Sequence, residues 1–207
     1  MATSLAKENI LKRIRQALSH PTPLPFPASE GTQSVFATEA DDPAVIFARE
    51  FSKLQGRFAY CVNEADLKHQ VRALCQQQAW HKIVIREKEL QKLFVGMELS
   101  DDLASCDASI TGCECLVART GTIVMSAAQE SGRTTSVYAP VHICIARASQ
   151  LVPDLKDAIQ YIKTNRGQAW PSQVTFASGP SRTADIEKTL VTGVHGPKEV
   201  YCFLVEA

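Results

Sequence analysis

The sequence lacks the glycine-rich motifs that bind nucleotide cofactors. No Gly-x-Gly-x-x-Gly follows a predicted strand, and neither a Walker loop nor a Gly-x-Ser-x-Gly elbow is present. The sequence therefore offers no motif for nicotinamide, flavin or nucleoside triphosphate. Any redox chemistry would need electrons carried by something outside this chain.

A charge excess and a long apolar run are also missing. The 207 residues include 22 basic and 22 acidic side chains, whereas a general nucleic-acid binder shows a basic excess or a basic run. No stretch approaches the roughly 18 apolar residues of a membrane span. Residues 1–16 have mixed charge and lack the apolar core of a secretory signal. We expect a cytoplasmic protein that binds no nucleic acid and does not span a membrane.

Metal-binding cysteine patterns are weak. The seven cysteines are odd in number and mostly stand in apolar, strand-like surroundings, which favours buried free thiols in a reducing compartment. Cys113 and Cys115 flank Glu114 as a lone Cys-x-Cys pair. Zinc and iron–sulfur sites usually combine Cys-x-x-Cys pairs with further ligands at fixed spacing. The pattern therefore favours plain thiols over a metal site.

The beginning of the chain differs from the rest. Residues 3–19 have the periodicity of an amphipathic helix, and four prolines within residues 20–27 then predict an extended polar linker. We divide the chain into an N-terminal helix and linker, residues 1–42, and an α/β domain, residues 43–207. The helix either docks on another subunit or folds back on its own domain.

From residue 43 onward, short apolar strands alternate with amphipathic helices. This alternation indicates an α/β domain with a mostly parallel sheet flanked by helices, and closely spaced strands near 108–146 predict mixed or antiparallel pairing there. Helices are predicted over 43–55, 63–78, 87–95, 153–166 and 183–192. Strands are predicted over 58–62, 82–86, 108–111, 121–126, 136–138, 142–146, 174–177 and 200–205.

Residues 178–187 carry the strongest chemical signal. They read Ser-Gly-Pro-Ser-Arg-Thr-Ala-Asp-Ile-Glu, between a predicted strand and a predicted helix. Ser181 or Thr183 can cap that helix, so that free amides face an anion, and Arg182 adds a fork suited to carboxylate or phosphate. The simpler alternative is a plain helix cap with Arg182 paired to Asp185 or Glu187.

Other polar groups stand near predicted strand ends. Glu114 lies in a stretch with few charges, where it could act as a base or nucleophile, or pair with Arg119. His195 on a glycine-flanked loop and His142 at a strand entry could each move a proton, or be ordinary surface and core histidines. The Thr-Gly-Thr turn at 120–122 could present backbone amides to a ligand.

Four phrases of the sequence support a family resemblance. The two most specific are Gly-Pro-Ser-Arg-Thr-Ala-Asp-Ile-Glu at 179–187 and Gly-Val-His-Gly-Pro at 193–197. Ala-Arg-Thr-Gly-Thr-Ile-Val at 118–124 and Ala-Pro-Val-His at 139–142 support them. In this order and spacing they resemble the lactate utilization protein C family (LutC/YkgG, the LUD domain), from about residue 43 to the end. The chain departs from that family at Cys113 and Cys115, usually small or apolar, and at Arg119, often acidic.

The resemblance implies both a fold and a role. The fold would be like that of the superfamily of glucosamine-6-phosphate deaminase, ribose-5-phosphate isomerase and CoA transferase (NagB/RpiA/CoA transferase-like). The role would be the oxidation of L-lactate to pyruvate with two partner proteins that carry the iron–sulfur clusters. This chain would itself hold no cofactor.

The residues and the resemblance together give one hypothesis for the site. Arg182 and the helix start at 181–183 hold the carboxylate of lactate or pyruvate, a histidine moves the hydroxyl proton, and Glu114 orients that histidine or the ligand. The catalytic candidates are Glu114, His142 and His195. The substrate-binding candidates are Thr120, Thr122, Ser181, Arg182, Thr183 and Asp185.

Two alternative functions stay open. By fold analogy alone, Glu114 could be a nucleophile or base acting on a CoA thioester or a phosphosugar. The protein could instead be a non-catalytic assembly or regulatory subunit whose residues 1–27 dock on the iron–sulfur proteins.

Overall fold

The computed structural model describes residues 5–19, 41–184 and 190–206. The chain divides into two units, residues 1–40 and 41–207. In the first unit, helix α1 (Leu5–Leu18) confirms the predicted amphipathic helix, and its apolar side chains Ile10, Ile14 and Leu18 are exposed. The predicted proline-rich segment lies outside the described residues.

The second unit is an α/β domain. Its described helices are α2 (Pro43–Lys53), α3 (Glu64–Gln77), α4 (Lys88–Leu93), α5 (Thr135–Tyr138) and α6 (Leu155–Arg166). Its described strands are β1 (Arg57–Cys61), β2 (Ile83–Ile85), β3 (Ala108–Thr111), β4 (Cys115–Val117), β5 (Thr122–Ser126), β6 (Val141–Arg147), β7 (Leu151–Val152), β8 (Val174–Ala177), β9 (Arg182–Ala184), β10 (Leu190–Thr192) and β11 (Glu199–Val205). None of the described helices is long and apolar enough to cross a membrane.

Local capping residues start the principal helices. The Asp42 carboxylate accepts a hydrogen bond from the Ala44 amide at 2.7 Å, and Pro43 occupies the first turn of α2. Asn63 caps α3 as predicted, because its side-chain oxygen accepts the Asp66 amide at 2.9 Å. At α6, Asp154 and Asp157 form a reciprocal capping box.

Two sheets form the framework. The larger sheet has the strand order β1-β11-β6-β3-β2, with every neighbouring pair parallel. The smaller has the order β7-β4-β5-β8, in which β4–β7 is parallel and the pairs of β5 are antiparallel. The predicted mostly parallel sheet with a mixed part is therefore confirmed.

The main apolar clusters of the core lie between the two sheets and on the outer face of each sheet. One face of the larger sheet packs on α3, through side chains such as Leu67 and Val71. Its other face packs on α2 and on the smaller sheet, through a cluster that includes Phe47 and Phe51. The far face of the smaller sheet packs on α6 through Ile162 and its neighbours. Both faces of the larger sheet are thus covered, as expected for a parallel sheet.

Two predicted elements are wrong. Residues 136–138 form the helical turn α5 rather than a strand, and the buried Thr135 hydroxyl donates to the Ser131 carbonyl at 2.6 Å in that turn. The described residues of the predicted helix 183–192 lie instead in strands β9 and β10, which pair antiparallel and place Thr183 opposite Val191, and residues 185–189 lie outside the described residues. Branched side chains at these positions suit a strand better than a helix.

Candidate functional site

The carboxyl ends of the parallel strands converge on a cleft. Ligands of open α/β sheets bind beyond this side of the sheet. A cavity of about 190 Å³ lies there, with apolar walls from α3, α4, β6 and β11. Polar groups enter it from the segments that follow the strands: Glu87 after β2, Gly112 and Cys113 after β3, Arg147 at the end of β6 and Gln150 just beyond. We call this cavity the carboxyl-end cleft.

Glu87 is a carboxyl group of this cleft whose pKa is raised. Its Oε1 accepts a hydrogen bond from the Gly112 amide at 2.9 Å, and the Ser131 hydroxyl also bonds to it. Burial raises the pKa of Glu87 above its ordinary value, and the nearby Glu130 and Glu114 add to the rise. Gly112 is required for this approach, since a Cβ there would lie 2.8 Å from Glu87 Oε2.

Glu114 lies behind the cleft in an ion pair. Its Oε1 accepts hydrogen bonds from the Arg166 guanidinium at 2.6 Å and from the Ser126 hydroxyl at 2.5 Å. The expected alternative partner, Arg119, instead holds Asp154 through two bonds of 2.7 and 2.9 Å. A carboxylate that is 7 % exposed and neutralised by a cation is poorly placed to attack a thioester, so the geometry does not favour Glu114 as a nucleophile.

His142 is buried in the core. Its side chain is 1 % exposed, and Nε2 lies 2.8 Å from the Thr111 hydroxyl. The Thr111 hydroxyl also donates to the Gly112 carbonyl at 2.9 Å. Burial lowers the pKa of His142 to about 4, which keeps the ring neutral. His142 thus supports the Thr111–Gly112 turn below the cleft and does not reach the surface.

Thr120, Thr122 and Ser181 lie at the opposite, amino end of the larger sheet. The hydroxyls of Thr120, Thr122 and Ser178 form a chain with two separations of 2.7 Å. The Ser181 amide donates to the Pro197 carbonyl, and the Ser181 carbonyl accepts the Gly193 amide. The three sequence phrases near 120, 180 and 195 therefore do meet, away from the carboxyl-end cleft.

Among the described residues, no shared cavity brings Arg182 and His195 together at this end. Arg182 and Thr183 belong to strand β9 and Ser181 precedes it, so the described part of this segment offers no helix N-terminus, and Asp185 lies outside the described residues. The exposed Arg182 donates to the Leu54 carbonyl at 2.7 Å. His195 instead borders a separate cavity whose lining includes Val137 and Tyr138 but not Arg182.

The cysteines are buried thiols. All seven are free and buried, as predicted. Cys113 borders the carboxyl-end cleft, and its hydrogen bond with Cys144 together with burial holds its pKa well above the ordinary value. Burial raises the pKa of Cys115 to about 12. Within the described residues, no group of three or more histidine, cysteine or acidic side chains is arranged to hold a metal ion.

Comparison with known proteins decides the family. The model of the LUD domain matches residues 81–205, more than half of the chain. The chain belongs to the LUD-domain family. The matched region runs from just before β2 to the end of β11, so it includes Glu87, Gly112 and Arg147 of the carboxyl-end cleft and the hydroxyl chain of Thr120, Thr122 and Ser178. The family resemblance read from the sequence is confirmed.

Curated relatives match about half of this LUD-domain chain. Lactate utilization protein C of Halalkalibacterium halodurans is 36 % identical over 112 residues, which are 53 % of this chain and 48 % of that protein. Lactate utilization protein C of Bacillus subtilis is 37 % identical over 101 residues, 48 % of this chain and 42 % of that protein. An uncharacterized protein of Neisseria meningitidis is 38 % identical over 94 residues, 45 % of this chain and 40 % of that protein. The match thus spans about half the length of these relatives, or somewhat less.

A solved structure shares the fold. The crystal structure of a DUF162 family protein from Deinococcus radiodurans superimposes with a TM-score of 0.60, over 79 % of this chain and 98 % of that one, at 21 % sequence identity. This likeness supports the α/β architecture of the LUD domain.

Sequence reasoning missed Glu87, Arg147 and Gln150. Each follows or ends a strand of the larger sheet. The positions of the strand ends in the sequence could therefore have indicated that these residues lie at one edge of the sheet. The signal was faint because β2 has only three residues and Glu87 looks like the start of an ordinary surface helix.

Proposed function

We propose that this LUD-domain protein is a component of a lactate-utilization system that oxidises L-lactate to pyruvate together with iron–sulfur partner proteins. The observation that carries the proposal is that relatives matching the domain at 36 and 37 % identity are named for lactate utilization. The sequence contains no motif of an electron-carrying cofactor, so the proposal assigns electron acceptance to the partners.

The carboxyl-end cleft supports the binding of a small carboxylate. Arg147 borders it, and the ion pair of Arg147 with Glu64 at 3.0 Å is between two side chains that are 56 and 44 % exposed. Such surface pairs contribute only about 0–1 kcal/mol, so Arg147 can turn to a ligand at little cost. A cavity of about 190 Å³ suits a ligand of few heavy atoms. It lies below the roughly 300–1,000 Å³ of typical drug-sized sites.

Thermal unfolding in the presence of L-lactate or pyruvate tests this binding site. We expect either acid to raise the melting temperature of the full chain, and Arg147→Ala to abolish the rise because the carboxylate loses its cation. Arg182→Ala serves as the matched arginine variant and should keep the shift. The opposite result, loss with Arg182→Ala alone, would return the ligand to the amino end of the sheet.

Oxygen-free co-purification tests the system. The full chain, tagged and expressed with its neighbouring genes, should retain proteins with the visible absorption of iron–sulfur clusters, whereas the chain alone should show none. Retention of no cluster protein, or a cluster spectrum in the isolated chain, would contradict the proposed division of labour.

An assembly role for the N-terminal helix is a second candidate. It is favoured by exposed apolar side chains on α1, where Ile10 is 58 % and Leu18 is 73 % exposed. Deletion of residues 1–27 in the same co-purification discriminates it. Loss of the partners with an unchanged acid-induced shift would show that this segment docks the complex.

A further inference from the structure

Glu87 brings a carboxylate to the carboxyl-end cleft and holds it in one orientation. Its Oε1 accepts the Gly112 amide at 2.9 Å, and the Ser131 hydroxyl also donates to the group. The Thr111 hydroxyl bonds to the Gly112 carbonyl at 2.9 Å and lies 2.8 Å from His142 Nε2. Both donors to Glu87 favour its ionised form. The fold therefore presents a fixed carboxylate to this cavity.

Glu87 also lacks a cation of its own. Within the described residues, no basic side chain forms an ion pair with this half-buried carboxylate. Its acidic neighbours are each paired: Glu64 with Arg147 at 3.0 Å, Glu89 with Lys92 at 2.7 Å, Glu114 with Arg166 at 2.6 Å and Glu130 with Lys88 at 3.9 Å. The two neutral donors to Glu87 offset only part of its desolvation. A cationic group that enters the cleft would offset the remainder.

Arg147 supplies the cleft with a cation for a ligand carboxylate. Its backbone amide donates to Gln150 Oε1 at 2.8 Å, which fixes the point from which the side chain extends. A guanidinium can bind a carboxylate through two parallel hydrogen bonds. The present partner of Arg147, Glu64, stands in the first turn of α3, where the positive end of the helix dipole stabilises a negative charge. Glu64 can therefore release Arg147 to a ligand and keep a favourable environment.

The balance of charge in the cleft distinguishes between classes of small carboxylate. The described lining includes three acidic side chains, Glu64, Glu87 and Glu89, and the basic side chain of Arg147. A simple monocarboxylate that binds Arg147 brings a further negative charge and leaves Glu87 without a cation. A zwitterionic α-amino acid brings an ammonium together with its carboxylate. It can therefore pair with both Arg147 and Glu87.

We propose that the carboxyl-end cleft binds a small α-amino acid as its zwitterion, with the ligand carboxylate on Arg147 and the ligand ammonium on Glu87. The apolar wall formed by Leu67, Leu90 and Val205 suits a short alkyl side chain. This inference rests on the proposed function for the placement of a carboxylate on Arg147 and goes beyond it in the class of ligand. L-Alanine is the matched probe, because it differs from L-lactate in an ammonium that replaces the hydroxyl.

Calorimetric titration of the full chain with L-alanine and L-lactate at neutral pH measures the preference. We expect L-alanine to bind at least about tenfold more tightly, because its ammonium brings to Glu87 a positive charge that the hydroxyl of lactate lacks. Glu87→Gln should remove the preference, and Arg147→Ala should abolish the binding of L-alanine. Glu89→Gln is the matched control and should keep the preference, because the Glu89 side chain is 84 % exposed and paired with Lys92.

The outcomes separate this inference from the proposed function. Binding of L-lactate at least as tight as that of L-alanine overturns the inference and leaves the function standing. A preference for L-alanine that survives Glu87→Gln also overturns the inference. Binding of L-alanine without binding of L-lactate, with the loss expected in Glu87→Gln, supports the inference and overturns the lactate ligand. Binding of neither compound overturns the inference and the carboxylate site together.

Two further ligands test the two charges without any variant. Propionate lacks the ammonium of L-alanine, and L-alaninamide lacks its charged carboxylate. Each should bind the wild-type chain at least about tenfold more weakly than L-alanine. Propionate that binds as tightly as L-alanine overturns the role of Glu87, and L-alaninamide that does so overturns the role of Arg147, even if neither variant can be purified.

Discussion

Arg166→Met should lower the free energy of unfolding by about 3–4 kcal/mol, because it leaves Glu114 buried without its cation. Glu114 is 6 % exposed at its side chain, and the 2.6 Å bond from Arg166 supplies the only opposite charge shown to contact it in the described structure. The remaining bond from Ser126 is neutral and offsets only part of the desolvation. Urea unfolding followed by circular dichroism measures the loss.

Two further variants isolate the ion pair. Lys163→Met removes an exposed charge from the last turn of the same helix and should change stability by no more than about 0.5 kcal/mol. Arg166→Met combined with Glu114→Gln removes both charges and should regain much of the loss, because a neutral amide is cheaper to bury. Equal effects of Arg166→Met and Lys163→Met would contradict a stabilising pair.

Elements with local signals were predictable from the sequence. Pro43 marks the start of α2 and Asn63 that of α3, and the Asp42 and Asn63 side chains each accept an amide within three residues. A short window of sequence therefore contains the whole cause. The apolar runs of β6 and β11 are buried over nearly their full length. Such runs read as strands of a covered parallel sheet, and this was enough to predict the α/β class.

Elements that depend on distant partners were not predictable in the same way. Residues 178–187 contain serine, threonine and acidic residues that suit a helix start equally well as a turn, yet Thr183 pairs with Val191 in a hairpin. Strand β4 escaped notice because Cys115–Val117 gains its place only between β5 and β7. Pairing outside the local window decided both.

In the candidate site, too, single residues have local signals but their partners are distant in the sequence. Glu114 stood out because it is isolated among apolar residues, but its partner Arg166 lies 52 positions away. Glu87 and Gly112 are 25 positions apart and meet only because β2 and β3 are neighbours in the sheet. Individual candidate residues could therefore be picked out from the sequence. Which of them meet in one cleft depends on the order of the strands in the sheet.

Replacement of Gly121 in the Thr-Gly-Thr turn should also cause a large loss of stability, and the cause is steric. Gly121 has φ +55°, and a Cβ there would lie 2.7 Å from the Glu50 carbonyl carbon and closer still to the Phe51 nitrogen. Since these are backbone atoms of α2, no side-chain rotation can relieve the overlap. Gly121→Ala should therefore lower the free energy of unfolding by about 3–4 kcal/mol, from left-handed strain and overpacking together.

Gly132→Ala separates these two causes. Gly132 has φ +65°, nearly the same backbone conformation, but a Cβ there would meet nothing within 4 Å. Its replacement should cost about 1 kcal/mol, the left-handed strain alone. The difference between the two alanine variants in urea unfolding then measures how tightly the turn packs on α2. Equal losses would mean that α2 moves away freely, and the close approach of helix and turn would not be what requires glycine at position 121.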